Sequence, residues 1–132
     1  MFTLQATYDG YTGDPLWLSY SGDNYAILYD SSPVHMSQVS NGCLQAPASN
    51  FPLAINDKQL AQYGDRGSWR DFAFNMTGDP VDFIDGGQIA LREKPEKRLC
   101  VHDGDDRRVY WSDTATDPDA HYLTFTQVPF AT

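Results

Sequence analysis

The feature that most constrains this chain is an internal repeat, because a unit that recurs three times has to bury its apolar faces against its own copies. The first copy reads Phe2-Thr3-Leu4-Gln5-Ala6, then a Gly/Asp/Pro turn, Leu16-Trp17-Leu18, Asp23 and Tyr29. The second begins at Cys43-Leu44-Gln45-Ala46 and continues through Pro52-Leu53-Ala54-Ile55, Asp57 and Tyr63. The third offers Ile89-Ala90-Leu91, Leu99-Cys100-Val101, Asp105 and Trp111. An Asp precedes an aromatic residue at one offset in all three: Asp23 with Tyr29, Asp57 with Tyr63 and Asp105 with Trp111. On this spacing Tyr29, Tyr63 and Trp111 are expected to be equivalent, as are Leu4, Leu44 and Leu91.

The elements within each copy read as strands. Phe72-Ala73-Phe74-Asn75-Met76 and Leu123-Thr124-Phe125-Thr126-Gln127-Val128 alternate apolar with polar, the period of a strand with one buried face. A fourth strand is expected to close each copy, at Val34 to Val39, Trp69 to Met76 and Tyr122 to Val128. Turn chemistry separates the strands at Asp9-Gly10, Asn41-Gly42, Asp85-Gly86-Gly87 and Asp103-Gly104. No window of a dozen residues has a helical period. Thr12-Gly13-Asp14-Pro15 recurs as Thr77-Gly78-Asp79-Pro80, which we read as a recurring turn, with Thr77 to Gln88 inserted between copies two and three.

Three copies of about 40 residues with four short strands each resemble the β-trefoil, in which six strands close a barrel and three hairpins cap it. The resemblance implies an all-β fold and one domain over residues 1–132, with copies at roughly 1–40, 41–88 and 89–132. A ricin-B type of trefoil lectin is the nearest subclass, with small secreted fungal cell-wall-associated trefoil proteins beside it; Ser32-Pro33-Val34-His35 is a local echo of the latter. Where the ricin-B signature places Gln-x-Trp, this chain reads Gln38-Val39-Ser40 and Gln127-Val128-Pro129.

Charge and cysteine content narrow the functions. Eighteen acidic against nine basic residues give a net charge of −9, a sign that repels nucleic-acid backbones. No apolar run reaches the roughly 18–20 residues that would span a bilayer, so neither nucleic acid nor membrane is an expected partner. Cys43 and Cys100 lack the spacing of a zinc site, and no metal or cofactor is expected. One disulfide joining them is expected, stabilising the fold by about 4 kcal/mol through loop closure, with two buried thiols in a cytosolic protein as the alternative. The acceptor sequence Asn75-Met76-Thr77 agrees with secretion and N-glycosylation. Phe2-Thr3-Leu4 passes at once into polar alternation, which fits a mature secreted form with an added Met, or a cytosolic chain.

Candidate chemistry concentrates in the hairpins. Sugar platforms need a ring face for the pyranose and a carboxylate or amide for its hydroxyls. Copy one offers Asp23, Asn24, Tyr25 and Tyr29, and copy three Asp103, Asp105, Tyr110 and Trp111; packing is the competing reading of the repeated rings. The expected function is a non-catalytic, secreted glycan-binding or cell-wall-associated module. The alternative is a protease inhibitor or host-directed effector that presents Gln45 to Pro52 or Thr77 to Gly87 as a rigid loop. A hydrolase built on the Asp/His-rich segment from His102 to His121 is a second alternative. No activated nucleophile accompanies His35, His102 or His121, and His102 and its neighbour Asp103 should point to opposite faces of a strand.

Overall fold

The computed structural model describes residues 2–20, 26–29, 37–40, 42–46, 51–55, 61–63, 79–84 and 86–129. Among the described residues the chain is all-β, with thirteen strands and no helix. The strands are β1 (Phe2–Thr7), β2 (Leu16–Tyr20), β3 (Ala26–Tyr29), β4 (Gln38–Ser40), β5 (Cys43–Ala46), β6 (Phe51–Ile55) and β7 (Ala61–Tyr63), followed by β8 (Val81–Ile84), β9 (Gln88–Leu91), β10 (Arg98–His102), β11 (Asp105–Ser112), β12 (Ala120–Tyr122) and β13 (Thr124–Pro129).

All pairings are antiparallel, and nine of them follow one scheme three times. The first strand of each unit pairs with the second (β1 with β2, β5 with β6, β9 with β10), and the second with the third (β2 with β3, β6 with β7, β10 with β11). A fourth strand then pairs with the first strand of the next unit: β4 with β5, β8 with β9, and β13 back to β1. Two pairings are additional: β12 with β10, and β3 with β11, which joins the first unit to the third.

These ladders form a nine-stranded and a four-stranded sheet. The longer sheet curls until its ends meet: the Phe125 amide in β13 donates to the Gly87 carbonyl (2.9 Å) in the turn between β8 and β9, and Phe2 packs edge-on against Phe83. The shorter sheet is fastened to the longer by reciprocal bonds between Ser37 and Phe2 (2.7 and 3.0 Å) and by the Val81 amide donating to the Gly42 carbonyl (2.8 Å). Pairing the edges in this way leaves fewer backbone groups open to another chain.

The register identifies equivalent positions. Gln5 faces Trp17, Gln45 faces Pro52 and Ala90 faces Arg98, so Leu4, Leu44 and Ile89 are equivalent, each 0% exposed. The expected third member, Leu91, lies two residues further on. One step along the second strands come Leu18, Leu53 and Leu99, all buried, and they face Leu28, Tyr63 and Trp111. Tyr29 is therefore not the partner of Tyr63 and Trp111 that the Asp offset suggested. Neighbouring residues on a strand face opposite ways, so Leu28 enters the core while Tyr29 is exposed.

The fourth strand of the middle unit is another correction. It is β8, in the segment expected to be an insertion, whereas Trp69 to Met76 lies outside the described residues. Asp14-Pro15 leads into β2 and Asp79-Pro80 into β8; these are non-equivalent strands, so the recurring turn does not mark the repeat. Nor are Cys43 and Cys100 joined: both are thiols. Cys43 sits beside the β4–β5 turn opposite Ser40, and Cys100 lies mid-strand in the other sheet between Tyr110 and Tyr122. Cys100 is 0% exposed, and burial pushes its thiol up to about 12.

Candidate ligand-binding cleft

The third unit carries two crossed His–Asp pairs. Strand β10 shifts register against β11 between Cys100 and His102, a bulge that re-aims the end of the strand. His102 and Asp103 diverge from there. His102 Nε2 donates to Asp117 Oδ2 (2.5 Å), and Asp103 Oδ1 pairs with His121 Nε2 (2.5 Å).

Asp117 belongs to the loop between β11 and β12, which is wound on Asp113. The Asp113 carbonyl accepts from the amides of Thr116 (3.1 Å) and Asp117 (2.8 Å), and its carboxylate accepts from the Ala115 amide (2.8 Å), an Asx-type turn. Ser112 Oγ also donates to Asp117 Oδ2 (2.8 Å). The hydrogen bond from His102 holds the Asp117 carboxyl below the usual carboxylate range, and the Ser112 hydroxyl adds to the effect. Tyr110 sits edge-on to the His102 ring at 4.2 Å. The carboxylate stands between hydroxyl and imidazole, so Ser112 Oγ donates to an acid of depressed basicity and meets no base. Nucleophilic catalysis needs the reverse order. The group is a clamp for the loop.

The second pair faces a cleft. His121 lies opposite Val101 in the β10–β12 ladder, and its ring stacks on Tyr8 with centroids 5.8 Å apart. Tyr8 in turn packs against Tyr11 at 5.2 Å. Both tyrosines belong to the turn after β1, where the Tyr11 amide donates to the Tyr8 carbonyl (3.0 Å) and Gly10 takes a φ of +86°. A cleft of about 330 Å³ opens beside them, lined by Asp9, Gln88, Thr114, His121, Tyr122 and Thr124 among others. A second of about 280 Å³ is lined by Gln5, Thr7, Tyr11, Pro15, Thr124 and Thr126 among others. Thr124 lines both.

The walls are braced from behind. The Tyr122 hydroxyl accepts from the Thr114 amide (3.2 Å) and lies within donating distance of the Glu96 carbonyl (3.3 Å) and Asp113 Oδ1 (3.4 Å). The Arg98 guanidinium lies 5.2 Å from the centre of the Tyr122 ring and donates to Gln88 Oε1.

Several expected site residues fall elsewhere. Asp23, Asn24, Tyr25, Asn75 and His35 lie outside the described residues. Trp111 is 0% exposed, which removes it as a sugar platform; it is core. Tyr29 is 38% exposed on β3 opposite Trp17. Asp103 reaches the cleft through His121, Tyr110 joins the His102 clamp, and Asp105 begins β11 opposite His102, its side chain outside the described residues. Of the expected inhibitor loops, Gln45 and Pro52 face each other across the β5–β6 hairpin with residues 47–50 outside the described residues, and the second contains strand β8 paired with β9, with residues 77–78 and 85 outside them.

The sequence reading missed Tyr8, Asp9, Tyr11, Gln88 and Thr124. Two tyrosines flanking Asp9-Gly10 were the available signal, and it was read as turn chemistry alone. No group of three metal-ligating side chains occurs among the described residues. No family model, curated protein or solved structure matches the chain.

Proposed function

We propose that the chain is a β-trefoil acting as a non-catalytic glycan-binding module, with the paired clefts around Thr124 as its site. The threefold pairing scheme supports the trefoil: each fourth strand hands on to the next unit, and β13 returns to β1. The observation that carries the binding reading is the makeup of the clefts. Tyrosine and histidine rings stand beside a carboxylate, an amide and threonine hydroxyls in a shallow groove. Sugars present this combination of apolar ring faces and hydroxyl edges.

The His102–Asp117–Ser112 order supports binding over hydrolysis, because it offers a loop clamp and no activated nucleophile. The alternative, a protease inhibitor or effector presenting Gln45 to Pro52 or Thr77 to Gly87, rests on loops of which residues 47–50, 77–78 and 85 lie outside the described residues. Asn75-Met76-Thr77 is the sequence feature that favours an extracellular setting; the disulfide no longer contributes to it.

The test is retention of the purified protein on insoluble chitin, glucan and mannan, backed by a glycan array. Retention on at least one, lost when Thr124→Trp obstructs the two clefts it lines, is the expected result. Absence of binding to every polysaccharide and arrayed glycan would contradict it.

A further inference from the structure

We propose, resting on the glycan reading, that the cleft selects uncharged sugars over anionic ones, and that Asp9 is the residue that sets this choice. The wall groups differ in what hydrogen-bonding capacity they have left to offer. The Tyr122 hydroxyl is already engaged with Thr114, Glu96 and Asp113. Gln88 gives its carbonyl oxygen to Arg98, which leaves its amide as a donor. His121 Nε2 is held by Asp103. Asp9 is exposed at the cleft, and its carboxylate is acceptor-only, able to take two neighbouring hydroxyls on its two oxygens. Acceptor at Asp9 and donor at Gln88 match a sugar's hydroxyl edge.

Charge decides against anions. Asp9 lines the cleft, and Asp103 and Asp113 stand directly behind His121 and Tyr122. Arg98 keeps its positive charge, but its Nε and one terminal nitrogen already donate to the Pro95 carbonyl and Gln88 and its plane lies by the Tyr122 ring, so those donors are not offered to a carboxylate or sulfate in the cleft. A uronate or sulfated sugar would meet an acidic wall on a molecule of net charge −9, and like charges brought together without a counter-ion are a specificity device.

The experiment titrates wild type, Asp9→Asn and Asp9→Ala with neutral oligosaccharides (β-glucan, chitin and mannan fragments) and with oligogalacturonides, at low and at physiological salt. Melting curves control for folding; Asn suits the turn before Gly10 as well as Asp does. Wild type should bind a neutral oligomer and bind oligogalacturonide at least about tenfold more weakly, with the gap narrowing as salt screens the charges. Asp9→Ala should weaken neutral binding by about tenfold, the loss expected for a charge-assisted hydrogen bond. Asp9→Asn should shrink the discrimination. Equal or tighter binding of oligogalacturonide by wild type, or discrimination unchanged in Asp9→Asn, overturns the selectivity while leaving the glycan reading intact. Failure of wild type to bind either class overturns both.

Discussion

Trp111 shows how a single residue separates packing from recognition. The sequence offers its ring both as core packing and as a sugar platform, and it lies fully buried opposite Leu99. Trp111→Ala should therefore cost about 3–5 kcal/mol as a buried large-to-small change; a melting temperature near that of wild type would return the ring to the surface. Cys100 and Cys43 divide in the same way. The buried Cys100 thiol, pushed up to about 12, should resist alkylation until the protein unfolds, whereas half-buried Cys43 should react first, since the thiolate is the reactive form. Peptide mapping after brief iodoacetamide treatment checks this. Asp117 gives a pH signature. Its carboxyl is depressed in the folded state by His102, so its contribution is present above the ordinary carboxylate pKa and is lost as the pH falls through the folded value. Asp117→Asn should melt earlier than wild type at neutral pH, and the gap should close below about pH 4.

At the scale of elements, alternation and turn residues located the strands well, and register was where the reading slipped. The apolar runs Leu16-Trp17-Leu18, Pro52-Leu53-Ala54-Ile55 and Leu99-Cys100-Val101 are legible as the second strand of each copy, and the structure buries Leu18, Leu53 and Leu99 at their equivalent positions. The Asp offset misplaced Tyr29 by one residue, and on a strand one residue exchanges core for solvent. Strand β8 was missed because Val81-Asp82-Phe83-Ile84 is short and follows a Gly/Asp/Pro turn; its identity comes from a partner, β9, that local sequence cannot reveal. The cleft was illegible for the same reason: Asp9, Gln88 and His121 come from three distant segments that only the curl of the long sheet brings together. That curl can be tested at Gly87. Its φ is +114°, and a Cβ there would stand 2.3 Å from the Phe125 carbonyl oxygen. Gly87→Ala should cost about 1–3 kcal/mol, the usual penalty of overpacking, read from denaturant unfolding.

For the whole molecule, the threefold handover of strands links fold to function. Because β13 must return to β1, the turn after β1 is carried against β12, and the Tyr8 ring of the first unit meets His121 of the third. The cleft is thus a product of closure, assembled where the ends of the repeat meet, and the His102–Asp117 clamp holds the loop that supplies Thr114 to its wall. The most direct test of the account is a two-dimensional amide NMR titration with a neutral oligosaccharide that the protein retains. Shifts should concentrate at residues 8–11, 114, 121–124 and Gln88, with Trp111 and the β2–β3 hairpin unmoved. Shifts centred on the hairpin around Tyr29, with the Thr124 clefts silent, would contradict it.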